Sequence, residues 1–141
     1  MLKKMVIAFD GSQQSYKAFD FALDMSDLCT GSSAEIIVLS VAQPPEPADI
    51  VEVDAIIDSA TQHYEELFKG LKVKAKERNL DVKTEVVVGH PADQIVRFAK
   101  DNRCDIVIVG QTGKSRIEKW LLGSVSKRVS TYSPCTVIIV K

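Results

Sequence analysis

The residues best suited to chemistry lie in one stretch, Gly110-Gln111-Thr112-Gly113, which continues through Lys114-Ser115-Arg116 to Gly123-Ser124-Val125-Ser126. Gly110 and Gly113 allow a sharp backbone turn and a close approach of main chain to a ligand. Gly123 and Ser124 stand where a helix opens, and the free N–H groups and dipole of a helix N-terminus suit a phosphate. The hydroxyls of Ser124 and Ser126 can hydrogen-bond phosphate oxygens, and Lys114, Arg116 and Lys127 add positive charge nearby. Far upstream, Asp10-Gly11-Ser12 supplies a carboxylate. Such a group can bind ribose hydroxyls or share a magnesium ion, which takes one or two carboxylates together with phosphate oxygens. These types and spacings point to the binding of a nucleotide.

Other chemistries fit less well. Gly113-Lys114-Ser115 ends like a P-loop, but that motif needs four residues between its glycines, and only Gln111 and Thr112 separate Gly110 from Gly113. No GxSxG element is present for a nucleophile elbow, and no GxGxxG follows the first strand. His63 and His90 stand apart without partners for a metal or a triad. The three cysteines, Cys29, Cys104 and Cys135, form no CxxC pair and indicate neither a disulfide framework nor zinc. Trp120, between Lys119 and Leu121-Leu122, reads as packing or a partner contact ahead of base stacking. The cations from Lys114 to Arg128 lack aromatic interleaving and read as phosphate-binding or solvated.

The elements that must position these residues alternate along the chain. Met5–Phe9 is a continuous apolar run closed by Asp10-Gly11-Ser12, as in a strand buried on both faces. Ser12 is placed to cap a helix carrying Ala18, Phe19, Ala22 and Leu23 as far as Leu28, and Gly31 breaks the pattern. Ile36–Val41 is a second strand, and Pro44, Pro45 and Pro47 forbid regular structure after it. A long helix is predicted from near Ala48 to Glu77 or Arg78, with Val53, Ile56, Ile57, Ala60, Tyr64, Leu67 and Leu71 on one face and Asn79 as its stop. Val82–Val88 is a third strand, and Pro91 suits the first position of a helix faced by Ala92, Ile95, Val96 and Ala99. Ile106–Val109 is a fourth strand, a helix spans about Ser124 to Tyr132, and Val137–Val140 is the fifth strand. The pattern predicts one α/β domain over residues 1–141, a doubly wound sandwich on a parallel five-stranded sheet with right-handed crossovers. In such sheets ligands sit beyond the carboxyl ends of the strands, where strand order reverses. Val137–Val140 has no central charge to guard an edge and invites pairing with a second copy.

With 141 residues, 45% apolar and 26% charged, the chain can bury a core without staples. Its net charge of -1 gives no general attraction to nucleic acid or to an anionic membrane. The apolar start ends at Asp10 without a small-residue cleavage site, and no run nears the ~20 apolar residues of a membrane span. The expectation is a cytoplasmic protein.

The spacing Gly110-x2-Gly113-x9-Gly123-Ser124 resembles the ATP-binding signature of the universal stress protein family. The resemblance runs the length of the chain, through Asp10, Gly89-x-Pro91, Asp105-Ile106-Val107-Ile108-Val109-Gly110 and Pro134-Cys135-Thr136-Val137. It implies strand order 3-2-1-4-5, an adenine nucleotide alpha hydrolase-like fold and a homodimer, through Val137–Val140 on the present reading. It implies ATP, or AMP or ADP, with Mg2+ or Mn2+, in a regulatory role under stress. Carried over by position, Ala8, Phe9, Asp10 and Val41 would flank the adenosine, and Val109, Gly110, Thr112 and Gly113 would follow ribose and phosphates. Gly123, Ser124, Val125 and Ser126 would hold the phosphates. Where the family often has His or Arg before the second glycine, this chain has the short, uncharged Thr112, which bears on the choice between ATP and AMP. Two alternatives remain at this point: slow magnesium-dependent ATP hydrolysis, and a dimeric interaction protein with a vestigial pocket.

Overall fold

β1, Lys4–Ala8, shows why its run is apolar without a break. Met5 and Ile7 enter one core and Val6 the other, because successive side chains on a strand point to opposite faces. The computed structural model describes residues 2–28, 34–44, 50–112 and 122–141. Within them the elements run β1, α1 Gln13–Leu28, β2 Glu35–Ala42, α2 Ile50–Glu77, β3 Val82–Val88, α3 Pro91–Asp101, β4 Ile106–Gly110, α4 Ser124–Tyr132 and β5 Thr136–Val140.

The strands form one parallel sheet in the order β3-β2-β1-β4-β5. Ile7 is in register with Val38 of β2 on one side and with Ile108 of β4 on the other. On one face Met5, Ile7 and Phe9 pack with Phe19 and Leu23 of α1 and with Tyr64, Phe68 and Leu71 of α2. On the other, Val6, Ile37, Leu39, Val107 and Val109 pack with Ile95 and Phe98 of α3 and Val129 of α4. The sheet is therefore sandwiched between two helical layers, and strand order reverses between β1 and β4.

Local signals act as their chemistry requires. The Ser12 hydroxyl accepts the Ser15 N–H (3.2 Å) at the start of α1, and Pro91 opens α3. Asn79 ends α2 at φ 57°: the Leu80 N–H bonds the Ala75 carbonyl and the Asn79 N–H bonds the Lys76 carbonyl, as in a Schellman cap. At the amino-terminal edge of the sheet, the Asp105 carboxylate accepts the Lys3 and Lys4 N–H groups, both at 2.8 Å, and ties β1 to β4. These two bonds hold its carboxyl below the usual carboxylate range.

Two features differ from the expectation of strands covered on both faces. Burial alternates from Val82 to Val86 in β3, where Lys83 and Glu85 are exposed, because β3 is an edge strand and part of its surface meets water. β5 is the other edge, and four of its five residues are half-exposed. Gly31, the residues from Pro45 to Ala48 and the segment 113–121, with Gly113, Lys114, Arg116 and Trp120, lie outside the described residues.

Candidate nucleotide site

The carboxyl ends of β1, β2 and β4, with the residues that follow them, surround a cavity of about 520 Å³, and β2 runs three residues beyond Leu39, the partner of Ala8 at the end of β1. β1 contributes Ala8, Phe9 and Asp10; β2 contributes Leu39, Val41, Ala42 and Gln43; β4 contributes Val109, Gly110 and Thr112. The amino-terminal turn of α4 closes one wall with Gly123, Ser124, Val125 and Ser126. The residues expected to flank the nucleoside and hold the phosphates are thus brought together here, except Gly113, which like Lys114 and Arg116 is outside the described residues; Lys127, expected to add charge nearby, does not line the cavity.

Hydrogen bonds fix these ends. Phe9 donates its N–H to the Leu39 carbonyl (2.9 Å), and the buried Ser40 hydroxyl donates to the Phe9 carbonyl (2.7 Å). Gly11 follows at φ 84°, a conformation that costs a residue with a Cβ, and it lets the Asp10 carboxylate accept the Ser12 N–H at 2.9 Å. The Gly123 N–H bonds the Gln111 carbonyl (2.8 Å), which pins the start of α4 to the end of β4. The Gly123 cap supplies no side-chain acceptor to the first N–H groups of α4. Those groups therefore keep the partial positive charge that attracts an anion.

Two expectations are sharpened. Gly110 is required by the protein itself: a Cβ there would stand 2.7 Å from the Gln14 Cβ and 3.0 Å from the Gln14 backbone carbon. The close approach it permits is that of α1 to β4. Ser126 is buried, and its hydroxyl donates to the Gly110 carbonyl, so its proton is committed within the fold.

The sequence reading missed several lining residues. Ser12 and Ser15 come from the start of α1, Ala60 and Tyr64 from α2, and Pro91 and Ile95 from α3. The Ser15 hydroxyl donates to the Ser12 carbonyl (2.8 Å), and Tyr64 is buried with its ring stacked near Phe68. Ser12 and Ser15 could have been found as the first turn of a helix after the Asp10 strand. Tyr64 and Ile95 sit on apolar stripes and carry no signal that separates lining from core.

Among the described lining residues Asp10 is the one charged group. No group of three or more His, Cys, Asp or Glu that could hold a metal exists among the described residues. A protein cage for an ion is therefore not what these residues form; one carboxylate fits a magnesium held chiefly by a ligand's phosphates and water. The chemistry on offer is binding: apolar walls for a flat base, hydroxyls and backbone N–H groups for polar atoms, and one fixed carboxylate. Cys104 stands apart, beneath the opposite end of the sheet, where burial pushes its thiol up to about 11. Such a thiol is a poor nucleophile.

A doubly wound parallel sheet with a nucleotide-sized cavity at its switch point defines the class. The model of the universal stress protein family matches residues 1–141. The chain is 32% identical to the universal stress protein YxiE of Bacillus subtilis, with all of both chains covered. Among solved structures, the universal stress protein UspA from Lactobacillus plantarum superimposes with a TM-score of 0.90 at 20% identity, over 99% of this chain and 97% of its own, a likeness of fold. A universal stress protein solved in complex with cAMP is 26% identical with a TM-score of 0.64, over 99% of this chain and 97% of that one. Two further neighbours, 18% and 21% identical and alike in fold, were solved with dAMP and with AMP. The chain belongs to the universal stress protein family.

Proposed function

We propose that this protein is a regulatory module of the stress response that binds an adenine nucleotide, ATP with Mg2+ or Mn2+ in the first instance, in the cavity above β1 and β4. The observation that carries the reading is the convergence on that cavity of the strand ends Ala8–Asp10 and Val109–Thr112 with the uncapped start of α4 at Gly123–Ser126. The cAMP-bound relative supports the adenine nucleotide class. In this reading Ala8, Phe9, Asp10 and Val41 contact the nucleoside. Val109, Gly110, Thr112 and Gly113 follow the ribose and phosphates, and the α4 turn holds the phosphates through its N–H groups. Asp10 shares the metal ion with the phosphates. The half-exposed edge β5 pairs two copies into a dimer, which satisfies its free backbone groups.

With Asp10 as the one carboxylate lining the cavity among the described residues, hydrolysis is at most slow. The working test is thermal unfolding with ATP, ADP, AMP and cAMP, each with and without Mg2+. A ligand at 100 times its Kd adds about 2.7 kcal/mol, which raises Tm by roughly 5–10 °C for a domain of this size. Gly123→Val, which fills the cavity wall, is expected to remove the shift while leaving the unliganded transition in place. Flat transitions with all four nucleotides, and no nucleotide released from the purified protein by mass spectrometry, would sink the reading. Phosphate release by wild type at an ordinary enzymatic rate, lost in Asp10→Asn, would replace it with an ATP hydrolase.

A further inference from the structure

From Glu52 to His63 no side chain of α2 is buried, and Tyr64, next along the helix, is. The helix has 28 residues and at 1.5 Å per residue spans about 42 Å, whereas the 7 residues of β3 span about 23 Å. Tyr64, Phe68, Leu71 and Ala75 press into the core. The same stripe continues backward at helical spacing into Ala60, which lines the cavity, and then into Ile57, Ile56 and Val53, which join neither core cluster among the described residues. Ile56 is 44% exposed. An apolar stripe that outruns its own sheet is a surface without a partner within the described residues.

Charge says what would cover it. From Glu52 to Phe68 the helix carries Glu52, Asp54, Asp58, Glu65 and Glu66 and no Lys or Arg. The basic end is neutralised within the fold, with Lys74 on Asp20 and Arg78 on Asp24 of α1. Glu52, Asp54 and Asp58 have no ion-pair partner among the described residues. At roughly 100° per residue, Glu52 and Asp54 lie about 100° to either side of Val53, so carboxylates flank the stripe on both edges.

We propose that the face of α2 bearing Val53, Ile56 and Ile57 docks a partner protein through a basic amphipathic segment. The partner's apolar stripe lies along these three residues, and its Lys or Arg side chains reach Glu52 and Asp54. This is recognition of one amphipathic helix face by another. A second copy of this chain does not fit, because a symmetric contact would bring the same carboxylates face to face.

The test uses the full chain and two synthetic helical peptides with the same leucine stripe, one flanked by lysine and one by glutamate. Binding is read by fluorescence anisotropy and mapped by amide chemical shifts. The lysine peptide is expected to bind, to weaken as salt rises, and to shift amides in the first half of α2. Ile56→Asp, at an exposed position, and Glu52→Lys with Asp54→Lys, which leaves the stripe intact, should each weaken it at least about tenfold. Equal binding of both peptides, shifts centred elsewhere, or no loss in either variant overturns the proposal. Light scattering covers the remaining occupant: a drop in the mass of the unliganded protein on Ile56→Asp would make this face a contact between copies and overturn the proposal as well.

Discussion

Two residues show how a single atom's neighbours set its role. At Gly110 an added methyl meets Gln14 at 2.7 Å from its Cβ and 3.1 Å from its backbone oxygen, and a backbone cannot step aside as a flexible side chain can. Gly110→Ala is expected to lower stability by about 1–3 kcal/mol in urea unfolding, through forced separation of α1 from β4, whether or not a nucleotide is bound. A neutral result would mean that the start of α1 yields. Asp105 makes a pH-dependent contribution. The Lys3 and then the Lys4 N–H bonds depress its carboxyl in the folded state. The stability it supplies is therefore fully present above the unfolded carboxylate pKa and is lost as pH falls through the lower folded value. Asp105→Ala should be less stable than wild type at neutral pH, with the gap closing in acid below the ordinary carboxylate range. A gap independent of pH would assign the loss to packing.

At the scale of elements, caps do much to set where helices stop. α3 ends with Arg103 at φ 52°, its N–H on the Lys100 carbonyl and the Cys104 N–H on the Ala99 carbonyl. This is the same cap that Asn79 makes for α2, built on a residue that pays for its Cβ. Arg103→Gly removes the left-handed penalty of about 1–2 kcal/mol, less the entropy glycine costs in the unfolded chain. The expected outcome is a gain of up to roughly 1 kcal/mol in urea unfolding; a loss would show that the arginine side chain contributes more than its backbone costs. The ion pairs between α1 and α2, by contrast, are exposed and contribute little individually. α2 is held by Tyr64, Phe68, Leu71 and Ala75. That is why its first half can run free of the core.

For the whole molecule, the proposed dimer through β5 predicts a particle of twice the chain mass by light scattering; a monomer at micromolar concentration would remove β5 from that role. The element order was legible from residues alone because each buried strand is a short unbroken apolar run and each helix has a 3.6-residue stripe. β3 was legible at the same bounds, Val82–Val88, although Lys83 and Glu85 interrupt its apolar side chains; its place at an edge accounts for their exposure. The glycines and serines from Gly110 to Ser126 marked the α4 side of the cavity, since turn and cap residues announce themselves by type. Tyr64 and Ile95 did not, because an apolar residue on a stripe looks alike whether it lines a cavity or fills a core. The sequence by itself determined the elements, their alternation and the two loops that meet at the site, since these follow from periodicity and from backbone preferences local to a few residues. The tertiary structure decided that Gly110 serves the packing of α1, that the Ser126 hydroxyl is engaged by the fold, and that α2 outruns the sheet. Each of these depends on the distance between residues far apart in the chain, which no local pattern encodes.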